Sequence, residues 1–324
     1  MVNVLKKLFD PKVFVSALFS AALLAFILTF TNLRAVSHDI ARAVPKALLP
    51  SVLLILVYLV AKGIQWNIYL VRLGYQPGLP ELLAPYAGGE FSASLPLGVY
   101  VESYLFKGIA GAAFGRSAAA TMWMLITEIL MCLFALLVIG VPGWPWIRPL
   151  AGSLIVGMLL MGWFFFKSPF IRAGLARWQP GWPWLRQVLR EAKQFLEGGD
   201  QLFSWQTFVY GLPLTSIYLG AQATILYIIG DSLIPDFAWT DAAAAYAFAL
   251  LIVLLVPVLP HLGSLEISGL EVMLQMGISK DLAVGSFLSM RILATGTTML
   301  ICGLVLILLR RQVGEALRRL SEGE

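Results

Sequence analysis

Eight charged side chains interrupt long apolar stretches of this sequence, and they are the residues most able to do chemistry. If those stretches cross a membrane, each charge costs about 2.5–3.5 kcal/mol on insertion scales, so such groups usually pair or face a wet cavity. Their chemistry would be ion pairing, proton exchange or binding of a charged ligand. The eight residues are Lys62, Glu90, Glu102, Lys107, Glu128, Glu266, Glu271 and Arg291.

Two of these acids follow similar helix-breaking motifs. Glu102 comes six residues after Pro96, and Glu266 comes six residues after Pro260, with Gly98 and Gly263 in between. The breakers lie near the middle of the apolar stretches 81–114 and 241–276, and Pro257 precedes the second motif. Each stretch divides into arms of 13–17 residues, about 20–25 Å long as helix, which is short for a crossing. We predict two re-entrant hairpins with their tips at these breakers. For the second stretch, two full spans with a proline kink remain the alternative.

The composition identifies the kind of protein that must position these charges. The 324 residues are 59% hydrophobic and 13% charged, with a mean hydropathy of +0.84. Average globular usage is about 45–50% apolar and 25% charged, so an ordinary soluble domain, a disordered chain and a collagen-like chain are excluded. Two cysteines in apolar runs and two histidines predict no disulfide framework, no metal site and no cofactor. The net charge of +5 is assigned to basic loops that face anionic lipid, rather than to nucleic-acid binding.

The apolar runs predict an all-α polytopic membrane protein. About six full transmembrane helices are expected in addition to the two re-entrant hairpins, because a bilayer core about 30 Å thick needs roughly 20 apolar residues as helix. We predict a single membrane domain that covers residues 1–324. The predicted spans are 13–31, 47–71, 117–141, 150–166, 204–229 and 281–309.

The distribution of Lys and Arg predicts the orientation of these spans. The segment 167–193 holds six basic residues, whereas the loop 230–240 holds none. Cytoplasmic N- and C-termini satisfy both loops, although this arrangement leaves Arg34, Arg42 and Lys46 outside. The linker at approximately 167–203 would then be cytoplasmic and carry an amphipathic interfacial helix over 181–198. The apolar face of that helix is formed by Trp184, Leu185, Val188, Leu189, Ala192, Phe195 and Leu196.

The two broken stretches, each followed by a long span, suggest an internal repeat with halves at approximately 47–141 and 204–309. Because the hairpins would enter from opposite faces, the repeat is predicted to be inverted, a plan that is typical of transporters with a site at the repeat interface. Aligning the starts of the two long spans places Glu128 opposite Arg291 near the midplane. We therefore predict an ion pair between them. The alternative for Arg291 is binding of a lipid phosphate.

The other intramembrane charges each leave two interpretations open. Glu102 and Glu266 could attract a cationic headgroup or exchange a proton, or they could accept hydrogen bonds from backbone N–H groups freed at a helix start. Lys62 could snorkel to the membrane interface or line the cavity.

The sequence resembles the lysylphosphatidylglycerol synthase transmembrane family, also described as the MprF-like flippase domain. Its second half carries residues that look like the family's P-x-x-G-x-x-E … G-[VI]-[SP] … A … R pattern, although His261-Leu262 stand where a double Gly is usual. The first half is similar in outline, with Gln65 where an Arg often precedes the Trp. The matching residues are Lys62, Trp66, Leu70, Gly89, Leu95, Pro96, Gly98, Pro260, Gly263, Glu266, Gly277, Ile278, Ser279, Ala283 and Arg291.

This resemblance implies a lipid flippase or scramblase of the bacterial inner membrane. We expect a stand-alone member without the synthase domain, and therefore no enzyme activity. The expected substrates and partners are membrane lipids, either an anionic phospholipid or a polyprenyl phosphate, and a second copy of the chain or a separately encoded lipid-modifying enzyme. Two alternatives remain: an ion-coupled transporter of a small solute, and a non-catalytic membrane partner in a lipid or polyprenyl-glycan pathway. The residues assigned to translocation are Arg291, Glu128, Glu102, Glu266 and Lys62.

Overall fold

The computed structural model describes residues 33–93, 98–171, 178, 181–255 and 261–322. Within these ranges the chain is almost entirely helical and contains no β-strand. The helices are α1 (Leu33–Arg72), α2 (Leu79–Ser92), α3 (Val101–Ala110), α4 (Phe114–Ile139), α5 (Ile147–Lys167), α6 (Pro183–Leu202), α7 (Trp205–Leu233), α8 (Trp239–Leu255), α9 (His261–Gln275), α10 (Lys280–Leu308) and α11 (Arg310–Glu322).

Five of these helices, α1, α4, α5, α7 and α10, are long and apolar enough to cross a membrane. They correspond to five of the six predicted spans, and the remaining predicted span, 13–31, lies outside the described residues. The prediction of an all-α polytopic membrane protein is confirmed.

Helix α1 begins well before its predicted start at residue 47. It has 40 residues, which corresponds to about 60 Å and is roughly twice the thickness of a bilayer core. The apolar run marks only the part that needs lipid. The preceding charged part stays helical because Val36, Ala43 and Ala47 form a buried stripe, and because it packs along α10.

The two stretches predicted as re-entrant hairpins each form two short helices that pack together. Helix α2 packs on α3, and α8 packs on α9. The arms have 14, 10, 17 and 15 residues, so the longest would span about 25 Å. Close packing of the first pair depends on small residues, because a Cβ at Gly88 would lie 2.4 Å from Leu105 Cδ1.

The predicted tip residues are only partly described. Pro96, Pro257 and Pro260 lie outside the described residues. Gly98 begins a single 3-10 turn that leads into α3, and Gly263 lies in the first turn of α9 with a φ of 92°. Whether the hairpins are re-entrant stays a prediction.

The two halves exchange packing partners in a reciprocal way. Helix α2, the first arm of the first hairpin, packs on α10, which is the long span of the second half. Helix α8, the first arm of the second hairpin, packs on α4, which is the long span of the first half. These reciprocal contacts bring both hairpins between the two predicted halves, and the internal repeat itself stays a prediction.

The amphipathic linker forms α6, close to the predicted range 181–198. Its predicted apolar face is divided between two environments, because Leu189 and Leu196 are buried whereas Trp184 and Val188 are exposed. The buried side packs across the beginning of α4. The exposed side, where the rings of Trp182 and Trp184 lie 6.0 Å apart, has the composition of a membrane interface.

Gly115 permits the contact between α4 and α6, and we expect Gly115→Ala to destabilise the protein by about 1–3 kcal/mol through overpacking. A Cβ at this position would lie 2.1 Å from the carbonyl oxygen of Glu191, a backbone atom that cannot rotate away. The Gly115 N–H also donates a 2.6 Å hydrogen bond to the Glu191 carboxylate.

The measurement is the unfolding free energy in detergent micelles, with Gly157→Ala as the control. Gly157 is also a helical glycine, in α5, but nothing lies within 4 Å of its Cβ position. The control should be neutral or slightly stabilising because Ala favours helix over Gly. Equal stability of the two variants would contradict the packing argument.

Candidate functional site

A cavity of about 510 Å³ lies at the interface between the two halves. Within the described ranges, seven helices line it: α1, α2, α4, α7, α8, α9 and α10. Residues at the inner ends of both helix pairs line it, Ala93 and Gly98 in the first pair and Leu254 and Leu255 in the second. Most of the described lining is apolar, but four of its side chains are charged: Lys62, Glu90, Glu128 and Arg291.

Lys62 lies at the centre of the first charged cluster. Its ammonium is 3.0 Å from Glu90 Oε1 and 3.3 Å from Glu128 Oε1, so one lysine of α1 joins α2 to α4. All three residues are at most 8% exposed. The structure therefore places Lys62 in the cavity wall, and the alternative that it snorkels to the interface is wrong.

Two tyrosines form hydrogen bonds with the charged groups of this cluster. The Lys62 ammonium donates a 3.0 Å hydrogen bond to the Tyr58 hydroxyl, which in turn donates to Glu90 Oε2 at 2.8 Å. The Tyr218 hydroxyl donates to Glu128 Oε1 at 3.1 Å. Because hydrogen bonds to charged groups are stronger than those between neutral groups, the tyrosines offset part of the cost of burying the ions.

Arg291 forms the second charged pair. Its Nε lies 3.1 Å from Glu266 Oε1, and the other Glu266 oxygen accepts a 2.7 Å hydrogen bond from the Gly263 N–H. Glu266 thus joins the start of α9 to the middle of α10. The interpretation that Glu266 hydrogen-bonds backbone at a helix start is confirmed. The Arg291 side chain is 19% exposed, compared with 10% for Lys62, which makes it the more accessible of these two cations.

The predicted ion pair between Glu128 and Arg291 is wrong. Both residues line the cavity, as their similar depth implied, but the ion pairs join Glu128 to Lys62 and Arg291 to Glu266. Aligning the two spans predicts how deep Glu128 and Arg291 lie in the membrane, but it does not predict which helices pack beside each span. Glu128 pairs with a residue of α1, a helix that the alignment did not include. Arg291 pairs with a residue of α9, which packs on α10.

Glu102 is held beside the cavity rather than in it. It lies in the first turn of α3 and is 2% exposed. The Thr121 hydroxyl of α4 donates a hydrogen bond to its carboxylate, and Gly89 of α2 lies directly against it, since a Cβ there would be 2.8 Å from Glu102 Cβ. A small pocket of about 10 Å³ separates Glu102 from the Lys62 cluster and is also lined by Glu90 and Glu128.

An uncharged polar network is centred on Gln65, three residues after Lys62 on the same side of α1. The Gln65 amide nitrogen donates to the Tyr69 hydroxyl at 2.7 Å and to Thr127 Oγ1 at 2.9 Å. The Thr215 hydroxyl donates to the Gln65 amide oxygen at 3.2 Å. Gln65 therefore joins α1, α4 and α7, and it is fully buried.

The described residues contain no group of three His, Cys, Asp or Glu side chains placed to hold a metal ion. The acids around Lys62 are instead arranged as partners of an ammonium and of hydroxyl groups. Such an arrangement is able to recognise a charged ligand and to exchange a proton.

Sequence reasoning included Glu90 among the intramembrane charges but did not assign it to the site, and it missed Tyr58 and Tyr218. One signal could have found Tyr58, because residues four apart share a helix face and Tyr58 precedes Lys62 by four. Nothing in the spacing points to Tyr218, which approaches from α7.

The model of one protein family matches residues 13–315, nearly the whole chain, and it describes the transmembrane region of lysylphosphatidylglycerol synthase. In a comparison with curated proteins, no individual protein matched the chain closely enough to be a relative.

Proposed function

We propose that this protein, which belongs to the lysylphosphatidylglycerol synthase transmembrane family, moves a phospholipid or a lipid-linked headgroup between membrane leaflets as a flippase or scramblase. We further propose that it acts in the bacterial inner membrane with both termini in the cytoplasm, and that it transports rather than catalyses. The observation that carries the proposal is the 510 Å³ cavity, where apolar walls surround paired buried charges at the interface of the two halves.

The cavity supplies the two environments that a lipid headgroup requires. Its charged residues replace part of the water that a headgroup loses on leaving the surface, and its apolar lining accepts the first part of the acyl chains. Membrane lipids would then be the substrates, with an anionic phospholipid or a polyprenyl phosphate as the expected headgroup classes.

Arg291 is the residue that we assign to phosphate binding. Its side chain lines the cavity and is the more accessible of the cations Arg291 and Lys62. A guanidinium stays charged and forks onto phosphate oxygens. Glu266 contacts the Nε atom of this guanidinium. Lys62 is held between two carboxylates, so we assign it a positioning role and a contribution to the local field.

Arg291→Met should reduce lipid translocation by about tenfold or more, because a charge-assisted hydrogen bond contributes about 1.5–3 kcal/mol. The assay presents labelled phosphatidylglycerol, aminoacylated phosphatidylglycerol or a polyprenyl phosphate to one leaflet of proteoliposomes and follows its appearance in the other. Arg42→Met is the matched control, since Arg42 is exposed and lies outside the cavity. Equal translocation by the wild type and Arg291→Met would remove Arg291 from the path.

The ion-coupled transporter of a small solute is the second candidate function. One observation favours it, since a volume of 510 Å³ falls within the range of about 300–1,000 Å³ that holds small molecules. The same proteoliposomes separate the two functions. Absence of movement of all three lipids by a folded wild type would contradict the flippase proposal and favour the solute transporter.

A further inference from the structure

Glu102 is a buried carboxyl group without an ion-pair partner among the described residues. Its carboxylate accepts a hydrogen bond from the neutral hydroxyl of Thr121. The nearest cation at the shared pocket is Lys62, and its ammonium is already in contact with Glu90 and Glu128. Glu102 therefore has a different electrostatic position from Glu266, which is balanced directly by Arg291.

The small pocket beside Glu102 has an excess of acids over bases. Among the residues that the structure describes, its charged lining consists of three carboxyl groups, those of Glu90, Glu102 and Glu128, and one ammonium, that of Lys62. An uncompensated charge in a buried site is expensive, and such a group usually becomes neutral instead. Lys62 is in direct contact with Glu90 and Glu128 and not with Glu102, so Glu102 is the carboxyl group that we expect to take a proton.

Two features oppose protonation of Glu102 and keep its ionised form accessible. The residue lies in the first turn of α3, where the helix dipole favours a negative charge. The Thr121 hydroxyl donates to the carboxylate, and this hydrogen bond also favours the ionised form. The group is thus held between opposing effects, which is the condition for exchanging a proton.

No further charge reaches Glu102 through the contacts described for the elements that pack on α3. The preceding 3-10 turn contributes Tyr100 to the cavity lining. Helix α11 meets α3 at Gly108, through Ala316 and Leu320, which are apolar. Lys107 lies on α3 itself, but it is rotated by about 140° from Glu102 around the helix axis.

A route for the proton is present in the geometry. The pocket beside Glu102 has room for about one water molecule, at 10 Å³. Lys62, Glu90 and Glu128 line both this pocket and the main cavity. The pocket therefore lies between Glu102 and the space in which we place the headgroup.

We propose that Glu102 is a proton-binding site, and that its protonation is coupled to movement of the headgroup through the main cavity. On uptake, a hydronium ion in the cavity gives a proton to a Glu102 carboxylate oxygen: one O–H bond of the hydronium breaks, the carboxyl O–H bond forms, and a neutral water remains. On release, the carboxyl O–H bond breaks, a cavity water takes the proton as hydronium, and the Thr121 hydroxyl again donates to the carboxylate. The binding site stands on the geometry alone, whereas the coupling rests on the proposed function.

The binding site is tested by infrared spectroscopy of the purified full chain in lipid nanodiscs during a pH titration. The wild type should show a protonated-carboxyl C=O stretching band that Glu102→Gln lacks. Glu271→Gln is the matched control and should retain the band, since Glu271 is exposed. Persistence of the band in Glu102→Gln, or its absence from the wild type throughout the titration, would overturn the proposal.

Thr121→Val provides a second test that does not alter the carboxyl group. It removes the hydroxyl that stabilises the ionised form, so the titration midpoint should move to higher pH by about one unit, equivalent to one hydrogen bond. A purely packing role for Thr121 would leave the midpoint unchanged, and an unchanged midpoint would contradict the assignment.

The coupling is tested in proteoliposomes by imposing a pH gradient during translocation of labelled phosphatidylglycerol. The gradient should change the wild-type rate severalfold and should not affect the rate of Glu102→Gln. Translocation that ignores the gradient in the wild type would overturn the coupling and leave the flippase function intact. An infrared band without any translocation would preserve the proton site and contradict the flippase function.

Discussion

Replacing Lys62 by methionine should lower the free energy of unfolding by about 3–5 kcal/mol, which is the cost of leaving a buried ion without its partner. In this protein one ammonium serves two carboxylates, those of Glu90 and Glu128. Methionine has a similar length but no charge, so both carboxylates and the Tyr58 hydroxyl lose their cation. Unfolding in detergent micelles measures the effect, and Lys46→Met is the control because Lys46 is exposed.

The origin of the loss can be separated from a simple packing defect. Combining Lys62→Met with Glu90→Gln and Glu128→Gln removes the uncompensated charges, so the triple variant should be more stable than Lys62→Met alone. Additive losses across the three changes would contradict an electrostatic cluster, because residues in contact are expected to couple by about 0.5–3 kcal/mol. Lys62→Arg retains the charge and should be less destabilising than Lys62→Met.

The membrane class and most of the helices could be predicted because both depend on local composition. Five described spans follow from apolar runs of sufficient length. The start of α1 could not be predicted, because its charged first part is held by a stripe of small buried residues facing α10. A hydropathy pattern records the need for lipid, whereas that part of α1 depends on contact with another helix.

The candidate site was likewise predictable in part: the depth of charged residues could be predicted, whereas their partners could not. Glu128 and Arg291 could be placed at one cavity from their similar depth in apolar runs, and the structure brings them together there with Lys62, whose position the sequence left open. Their partners could not be derived, because partner choice depends on which helices are adjacent. The contribution of α1 to the site is the clearest case, since α1 supplies Lys62 and Tyr58 although the motifs compared between the two halves lie outside it.

Helix α1 carries two successive polar contacts toward α4. Lys62 binds Glu128, and Gln65, three residues further along, donates to Thr127. The first contact borders the cavity, whereas the second is fully enclosed. Residues three apart share a helix face, so the enclosed contact fixes the rotation of α1 that points Lys62 at its two acids.

Gln65→Leu should therefore destabilise the protein by about 2–4 kcal/mol, because it leaves buried hydroxyl groups without their partner. Tyr69 and Thr215 each lose a hydrogen bond to the Gln65 amide. Thr127 is less affected, since its hydroxyl also donates to the backbone carbonyls of Trp123 and Met124. The measurement is again the unfolding free energy in micelles, with Gln187→Leu, at an exposed position of α6, expected to change it by less than about 0.5 kcal/mol.

A structural role of Gln65 in orienting α1 also predicts an effect on the charged cluster. In Gln65→Leu, the coupling energy between Lys62 and Glu128, measured by a double-mutant cycle, should be smaller than in the wild type because the ammonium is no longer held in register with α4. If stability falls while this coupling is unchanged, Gln65 acts only through its own hydrogen bonds. The Lys62 cluster itself would then determine the positions of the helices that line the cavity. The orientation of α1 would depend on its close packing against α7, where a Cβ at Gly211 would lie 2.1 Å from the Tyr69 hydroxyl.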